Sequence, residues 1–300
     1  MMMGLVAAVT VVLNLDTSVV FLTPILLHVA RRRGVNETAF LYGAVFMANA
    51  ASLLLPGSNL TNLLVLVSRH VRGSTFAATM FAPWCAAVLV TWGVLAWWRR
   101  ADWRLGAASD DAATPLRLDA GGLGVVAAVA LMLFVTNPAP AVLLVGVLAS
   151  GAHLVRKRLT VRRALDALNP LTLAGLFVLA VALGTLARTW TGPSRLLGAL
   201  GPWGAAGLGA GLSNVVNNLP AAVILSARAP AHPYALLLGL NIGPNLSVIG
   251  ALSAVLWLRI GRQEGATPSA ATYTRVGLVL VPVSLAAALG ALALITPGAL

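Results

Sequence analysis

Charge is scarce in this 300-residue chain: 9% of its residues are Asp, Glu, Lys or Arg, against about 25% in an ordinary soluble domain, and 59% are hydrophobic. That balance lies far outside the globular range and points to the bilayer as the solvent. Acids are rarest of all. Seven of the eight, Glu37, Asp102, Asp110, Asp111, Asp119, Asp166 and Glu264, fall in loops or at their edges. Cysteine occurs once, at Cys85 in an apolar span, which excludes an internal disulfide and any multi-thiolate metal site and leaves core packing as its reading. No HExxH, no Walker-type phosphate loop and no Ser/His or Ser/Lys pair inside an apolar span is present, so an enzyme is not expected and no cofactor is implied. The histidines His28, His70, His153 and His232 lie near span ends without i,i+4 partners and read as interface residues, not metal ligands. A charged n-region and a cleavage site are missing from residues 1–13, and the apolar run continues to residue 30, so this start belongs to the fold.

What the chain has in abundance is apolar runs long enough to cross about 30 Å of hydrocarbon. They fall at about residues 1–30, 38–69, 76–98, 120–136, 138–155, 169–188, 199–227, 234–258 and 273–296, and leave no room for a soluble domain. The net charge of +12 comes from Arg residues and Lys157 placed between these runs, so it reports topology rather than a nucleic-acid partner. Trp84, Trp92, Trp97, Trp98, Trp103, Trp190 and Trp203 lie towards loops, as amphipathic rings at the headgroup level should.

Four runs are interrupted by polar or Gly/Pro motifs: Asn14-Leu15-Asp16-Thr17, Gly57-Ser58-Asn59-Leu60-Thr61-Asn62, Asn217-Asn218-Leu219-Pro220 and Gly243-Pro244-Asn245-Leu246-Ser247. Gly57, Asn59, Leu60 and Thr61 align with Gly243, Asn245, Leu246 and Ser247, each set preceded by another interrupted run, which is an internal repeat. Broken helices at matching positions of two halves point to a transporter site near the bilayer midplane. If runs 1–30 and 199–227 are re-entrant hairpins and the others cross once, fifteen of the twenty basic residues fall on one side. Those are Arg31, Arg32, Arg33, Arg99, Arg100, Arg104, Arg117, Arg156, Lys157, Arg158, Arg162, Arg163, Arg259, Arg262 and Arg275, and the positive-inside rule makes that side cytoplasmic. Arg69, Arg72, Arg188, Arg195 and Arg228 take the other side. The expected fold is therefore all-α: a polytopic cell-membrane protein with inverted repeats, two re-entrant helical hairpins and two broken transmembrane helices. Residues 1–98 form a first repeat of hairpin, broken helix and crossing, residues 99–119 a cytoplasmic loop, and residues 120–300 a second repeat with three additional helices at its start. No such triplet precedes the first hairpin, so the first repeat reads as amino-terminally incomplete.

Asp16 is the one acid inside an apolar span, a placement that costs about 2.5–3.5 kcal/mol at a helix centre and is functional by default. It is the candidate for carrying a coupling proton, with Asn14 and Thr17 near enough to hydrogen-bond it. The clusters Ser58, Asn59, Thr61 and Asn62, Asn217 and Asn218, and Asn245 and Ser247 have two readings. They can glue helices together at about 0.6–2 kcal/mol each, or present amides, hydroxyls and freed backbone groups to a polyol, a small anion or a bare cation.

Leu15-Asp16-Thr17 with Leu22-Thr23-Pro24, Ser58-Asn59-Leu60-Thr61-Asn62, Asn217-Asn218-Leu219-Pro220, and Gly243-Pro244-Asn245 with Gly250 and Trp257 resemble, in this order, the arsenical pump membrane protein family. That family lies within the ion transporter superfamily of citrate and dicarboxylate carriers. The resemblance implies an elevator-type secondary active transporter, usually a dimer, in which a domain of two hairpins and two broken helices slides against a scaffold. It implies arsenite and antimonite efflux driven by the proton gradient, with a cytoplasmic ATPase as a candidate partner. Family members carry further helices upstream, and arsenite pumps often show Asn-Asp where this chain has Leu15-Asp16. Arsenite near neutral pH is an uncharged triol that an Asn/Ser/Thr/Asp site suits. A dicarboxylate would favour a basic partner, and no Lys or Arg lies at any of the four breaks. Proton-coupled arsenite/antimonite efflux is thus the first expectation, a sodium- or proton-coupled symporter of citrate-like anions the second, and a sodium/proton exchanger the third. A non-transporting fragment or structural subunit is the reading from a different class.

Overall fold

The computed structural model describes residues 2–66, 71–100, 120–135, 139–157, 159–162, 165 and 170–295. His70, Trp103, Asp102, Asp110, Asp111, Asp119, Asp166, Arg69, Arg104, Arg117, Arg158, Arg163 and most of the 99–119 loop lie outside the described residues. Among the described residues every regular element is a helix. In chain order these are α1 (Met2–Leu13), α2 (Leu15–Arg32), α3 (Thr38–Ala51), α4 (Leu60–Leu66), α5 (Gly73–Trp98), α6 (Ala120–Phe134), α7 (Ala139–Val155), α8 (Pro170–Thr189), α9 (Gly192–Ala199), α10 (Pro202–Val216), α11 (Asn218–Ser226), α12 (Pro233–Ile242), α13 (Leu252–Gln263) and α14 (Ala270–Ile295). The short helix α9 has no counterpart among the runs expected from hydropathy.

The 26-residue helices α5 and α14 are each long and apolar enough to cross a membrane. At 1.5 Å per residue each spans about 39 Å, more than the hydrocarbon thickness. They pack against one another along their length, with Ser284 of α14 reaching the Ala87 carbonyl of α5. Each carries an internal proline, Pro83 and Pro282, which helices surrounded by other helices tolerate.

The remaining core is built on helix interruptions. A single residue joins α1 to α2, and another joins α10 to α11. Both are asparagines in the same unusual conformation: Asn14 has φ 84° and ψ 165°, Asn217 φ 78° and ψ 152°. That region costs a non-glycine residue about 1–3 kcal/mol, and here each asparagine offsets part of it by capping the next helix. The Asn14 side chain accepts from the Thr17 N–H at 3.1 Å and the Asn217 side chain from the Leu219 N–H at 3.4 Å.

Helices α3 and α4 are separated by residues 52–59, with a 3₁₀ turn at Pro56–Ser58 and an extended Asn59. Helices α12 and α13 are separated by a 3₁₀ turn at Gly243–Leu246, an extended Ser247, a second turn at Val248–Gly250 and an extended Ala251. The second break is therefore longer, and Asn59 matches Ser247 in backbone conformation where the sequence pairs it with Asn245. Hairpin α10–α11 is held against α12 by small residues: a Cβ on Gly239 or Gly243 would collide with the backbone of Ala206 or Ala210. Such stripes let membrane helices approach closely where no hydrophobic drive separates protein from lipid.

One end of the molecule gathers the ends of several helices. Arg31 and Glu37 form an ion pair at 2.6 Å, Glu264 lies close enough to act on Arg31, the Tyr42 hydroxyl bridges to the backbone of Ser269, and the Tyr42 ring meets Trp98 edge-on. Arg31–Arg33, Arg99, Arg100, Arg259, Arg262 and Arg275 therefore share this end.

Candidate substrate cavity

A broken helix inside an apolar body leaves backbone carbonyls without helical partners, and these must be satisfied locally. Side chains do so at both breaks. At the first, Asn62 Nδ2 donates to the carbonyls of Ser52 (2.8 Å) and Leu55 (3.0 Å), the Ser52 hydroxyl to Asn49 O (2.8 Å), and Trp84 Nε1 to Ala51 O (3.1 Å). Trp84 is thus not the headgroup-level ring its sequence position suggests: it sits within α5 and caps the end of α3. At the second break Asn214 Nδ2 donates to Gly243 O (2.8 Å), Tyr273 Oη to Pro244 O (3.2 Å) and Asn217 Nδ2 to Ile249 O (3.0 Å).

The two breaks are joined by amides exchanged crosswise. Asn241, in the helix before the second break, accepts from Asn59 Nδ2 (2.6 Å) and donates to Asn62 Oδ1 (3.0 Å), and its Oδ1, 2.9 Å from the Ser52 hydroxyl, shares that group's single hydrogen with Asn49 O. Asn49, in the helix before the first break, donates to Asn245 Oδ1 at 2.7 Å, and Asn245 Nδ2 donates to Phe46 O at 3.3 Å. Asn49, Ser52, Asn62, Asn241 and Asn245 are all fully buried. A network with nearly every donor and acceptor used holds one geometry, because each unmade bond in an apolar interior is costly.

Beside this network the two hairpin tips and the first break line a half-open cavity of about 210 Å³. Leu15 and Asp16 reach it from one tip, Asn217, Asn218, Leu219 and Pro220 from the other, Asn59, Leu60 and Thr61 from the first break, and Leu252 and Leu179 complete its lining. Asp16 is the one ionisable side chain among them. The backbone N–H of Ser253, in the first turn of α13, faces its carboxylate. Ala251, the residue preceding α13, has no side chain with which to cap that helix, so Asp16 supplies the acceptor from another element. Thr61, 1% exposed, lines the cavity and its Oγ1 has no hydrogen-bond partner.

Of the residues anticipated from sequence, Asp16, Asn59, Thr61, Asn217 and Asn218 line the cavity. Asn14 caps α2, and Thr17 lies beyond the tip on an open groove that shares Asp16 with the cavity. The Ser58 hydroxyl donates to Val11 O at 2.9 Å, the Ser247 hydroxyl to Asn214 Oδ1 at 2.7 Å, and Asn62 and Asn245 belong to the crosswise network. All of these except Thr17 hold the site's walls. Sequence reasoning missed Asn49, Asn241, Asn214 and Tyr273. The signal was present as lone asparagines in apolar runs ahead of each break.

A body that is apolar and, among the described residues, all-helical, in which two hairpin tips and an interrupted helix meet at a cavity lined by both polar and apolar side chains, has the architecture of a membrane transporter. The citrate transporter family profile matches residues 1–249, and the chain belongs to that family. It is 30% identical over 94% of its length to an uncharacterized transporter of Mycobacterium tuberculosis, covering 73% of that protein. It is also 27% identical to the arsenical pump membrane protein of Escherichia coli (strain K12) over 96% of this chain and 75% of that one, and 28% identical to the arsenical pump membrane protein of Yersinia enterocolitica with the same coverage. Its relatives are transporters, in keeping with a non-enzymatic role.

Proposed function

We propose that this protein is a multi-pass secondary active carrier of the cell membrane that exports arsenite and antimonite in exchange for protons. The observation that carries the reading is the polar part of the cavity lining: amides, a free hydroxyl and one carboxylate, set among six apolar side chains and without a lysine or arginine. An uncharged trihydroxide of arsenic or antimony offers three O–H donors and three acceptor oxygens. Asn217, Asn218 and Thr61 match these with groups that both donate and accept, and Asp16 provides a titratable acceptor. A di- or tricarboxylate in the same place would face the Asp16 carboxylate with no compensating cation.

In this reading residues 1–98 and 120–300 are two repeats of inverted topology joined by residues 99–119, and the hairpins are re-entrant from opposite faces. The shared conformation of Asn14 and Asn217 supports that correspondence. The hairpins and broken helices move together as an elevator against α6–α8, as a homodimer, and Asp16 carries the proton. The cavity residues Asp16, Asn59, Thr61, Asn217 and Asn218 contact the substrate. A citrate-like anion with a coupling cation is the second reading, favoured by the family match.

The test is arsenite efflux from cells lacking a pump of their own. Efflux should collapse when the proton gradient is dissipated, and Asp16→Asn should abolish gradient-driven efflux while leaving the amount of protein in the membrane unchanged. Undiminished efflux by Asp16→Asn would refute the assignment of the proton, and citrate uptake without arsenite efflux would favour the second reading.

A further inference from the structure

The helix pair α5–α14 carries a second feature, remote from the cavity, at the arginine-rich end. Between the last turns of α5 and the first turns of α14 lies a groove of about 280 Å³ whose walls include Trp97, Trp98, Thr272, Arg275, Val276 and Val279. Its α14 wall is a stripe at i, i+3, i+4 and i+7, so one helix face builds it. The chemistry along that stripe is ordered by depth. Thr272 and Arg275 stand near the start of the helix, Val276 and Val279 one to two turns further in.

The aromatic wall is held in place. The Trp98 ring meets the Tyr42 ring at 5.3 Å and 85°, and Tyr42 in turn is fixed by its hydroxyl to the backbone of Ser269. The Arg99 guanidinium lies 5.4 Å from the centroid of the same Trp98 ring, so a second cation stands beside the groove. Arg275 itself pairs with no carboxylate among the described residues. An exposed guanidinium, a hydroxyl and two interfacial indoles at the mouth, above an apolar floor, is the reverse image of an anionic phospholipid: a phosphodiester at the surface, with an acyl chain descending between two helices.

We propose that this groove is a binding site for an anionic phospholipid. The Arg275 fork and the Thr272 hydroxyl hold the phosphodiester oxygens, Arg99 adds to the local positive potential, and Trp97 and Trp98 flank the glycerol region. The acyl chain lies along Val276 and Val279. A free phosphate would leave that floor bare, so the lipid is the occupant. The site ties one leaflet to a helix pair that also touches the second break, since α14 packs against the turn at Gly243–Leu246.

The proposal is tested on the purified 300-residue chain by native mass spectrometry after equilibration with equimolar phosphatidylglycerol and phosphatidylcholine. Phosphatidylglycerol should be retained preferentially, and Arg275→Gln should lower its retention about fivefold, the change that about 1 kcal/mol per arginine at a membrane surface gives. Thr272→Val should lower it by less, and Arg228→Gln, at the other end of the molecule, should leave it unchanged. Equal retention of the two lipids, full retention by an Arg275→Gln variant with wild-type thermal stability, or an equal loss in Arg228→Gln would overturn it. If Arg275→Gln does not fold, Trp97→Ala takes its place with the same expected loss.

Discussion

Asn241→Ala is the substitution on which the account of the core can be judged most directly. The Asn241 side chain makes two full hydrogen bonds to other elements, Asn59 at 2.6 Å and Asn62 at 3.0 Å, and shares the single Ser52 hydroxyl hydrogen, at 2.9 Å, with Asn49 O. A further bond returns to Leu237 O in its own helix at 2.8 Å. Hydrogen bonds between membrane helices average about 0.6 kcal/mol each, so the two full bonds and the shared one contribute about 1.5 kcal/mol. Removing one partner also strands the others. Ser52 keeps its bond to Asn49 O, but the Asn59 amide is left with only a 3.5 Å contact to Ser52, and Asn62 Oδ1 loses its donor. An orphaned buried amide costs about 1–3 kcal/mol, which brings the expected destabilisation to about 2.5–4.5 kcal/mol. Reversible unfolding in mixed micelles measures it. A double-mutant cycle with Asn59→Ala should give a coupling of about 1 kcal/mol, because the second substitution removes a group already stranded by the first. A loss below about 0.5 kcal/mol for Asn241→Ala, together with strict additivity in the cycle, would refute the claim that the crosswise amides hold the two breaks together.

Two further outcomes follow from the hairpin tips and the cavity. At the second tip, Asn217→Gly removes the cap and the bond to Ile249 O but suits φ 78°, whereas Asn217→Ala loses both bonds and keeps the strain. Thermal stability should therefore fall in the order Asn, Gly, Ala, with Ala lower than Gly by about 1 kcal/mol or more, and the reverse order would show the tip to be unstrained. Thr61→Val should leave stability within about 0.5 kcal/mol of wild type, since no bond is lost, yet reduce efflux at least tenfold, with Thr61→Ser retaining most of it. Unchanged efflux by Thr61→Val would remove Thr61 from the substrate's contacts.

The architecture was legible from sequence because its signals are local and costly to violate. An asparagine or aspartate in a long apolar run must mark an interruption or a site, and Asn14, Asp16, Asn217 and the Gly57 and Gly243 motifs do so where the helices break. The division of labour among the polar residues was not legible. Asn59 and Asn245 align in sequence, but the second break carries an additional 3₁₀ turn at Val248–Gly250, and Asn59 both lines the cavity and joins the network while Asn245 lies in the network alone. Asn49 and Asn241 escaped notice because each stands in the last turn of the helix ahead of a break, outside the Gly57 and Gly243 motifs, and their partners are about 180 to 200 positions away in the chain. Contacts of that span follow from tertiary packing and leave no local pattern to read.

The two halves differ where a ligand would be held. If the tips are matched by their asparagines, Val11 in the first hairpin corresponds to Asn214 in the second. Asn214 donates to Gly243 O and accepts from Ser247, so the second hairpin is tied to its own break by two side-chain bonds, and Asn217 adds a third to Ile249 O. Val11 offers only its carbonyl, taken by Ser58. The consequence falls on the hydroxyls that the sequence aligns: Ser247 is engaged by Asn214, and Thr61 is left without a partner facing the cavity. The same asymmetry puts Asp16 where the second tip has Leu219. The bonds that tie a hairpin to its break are thus more numerous in the second half, while the two groups that set the cavity apart chemically, the Asp16 carboxyl and the unpartnered Thr61 hydroxyl, come from the first.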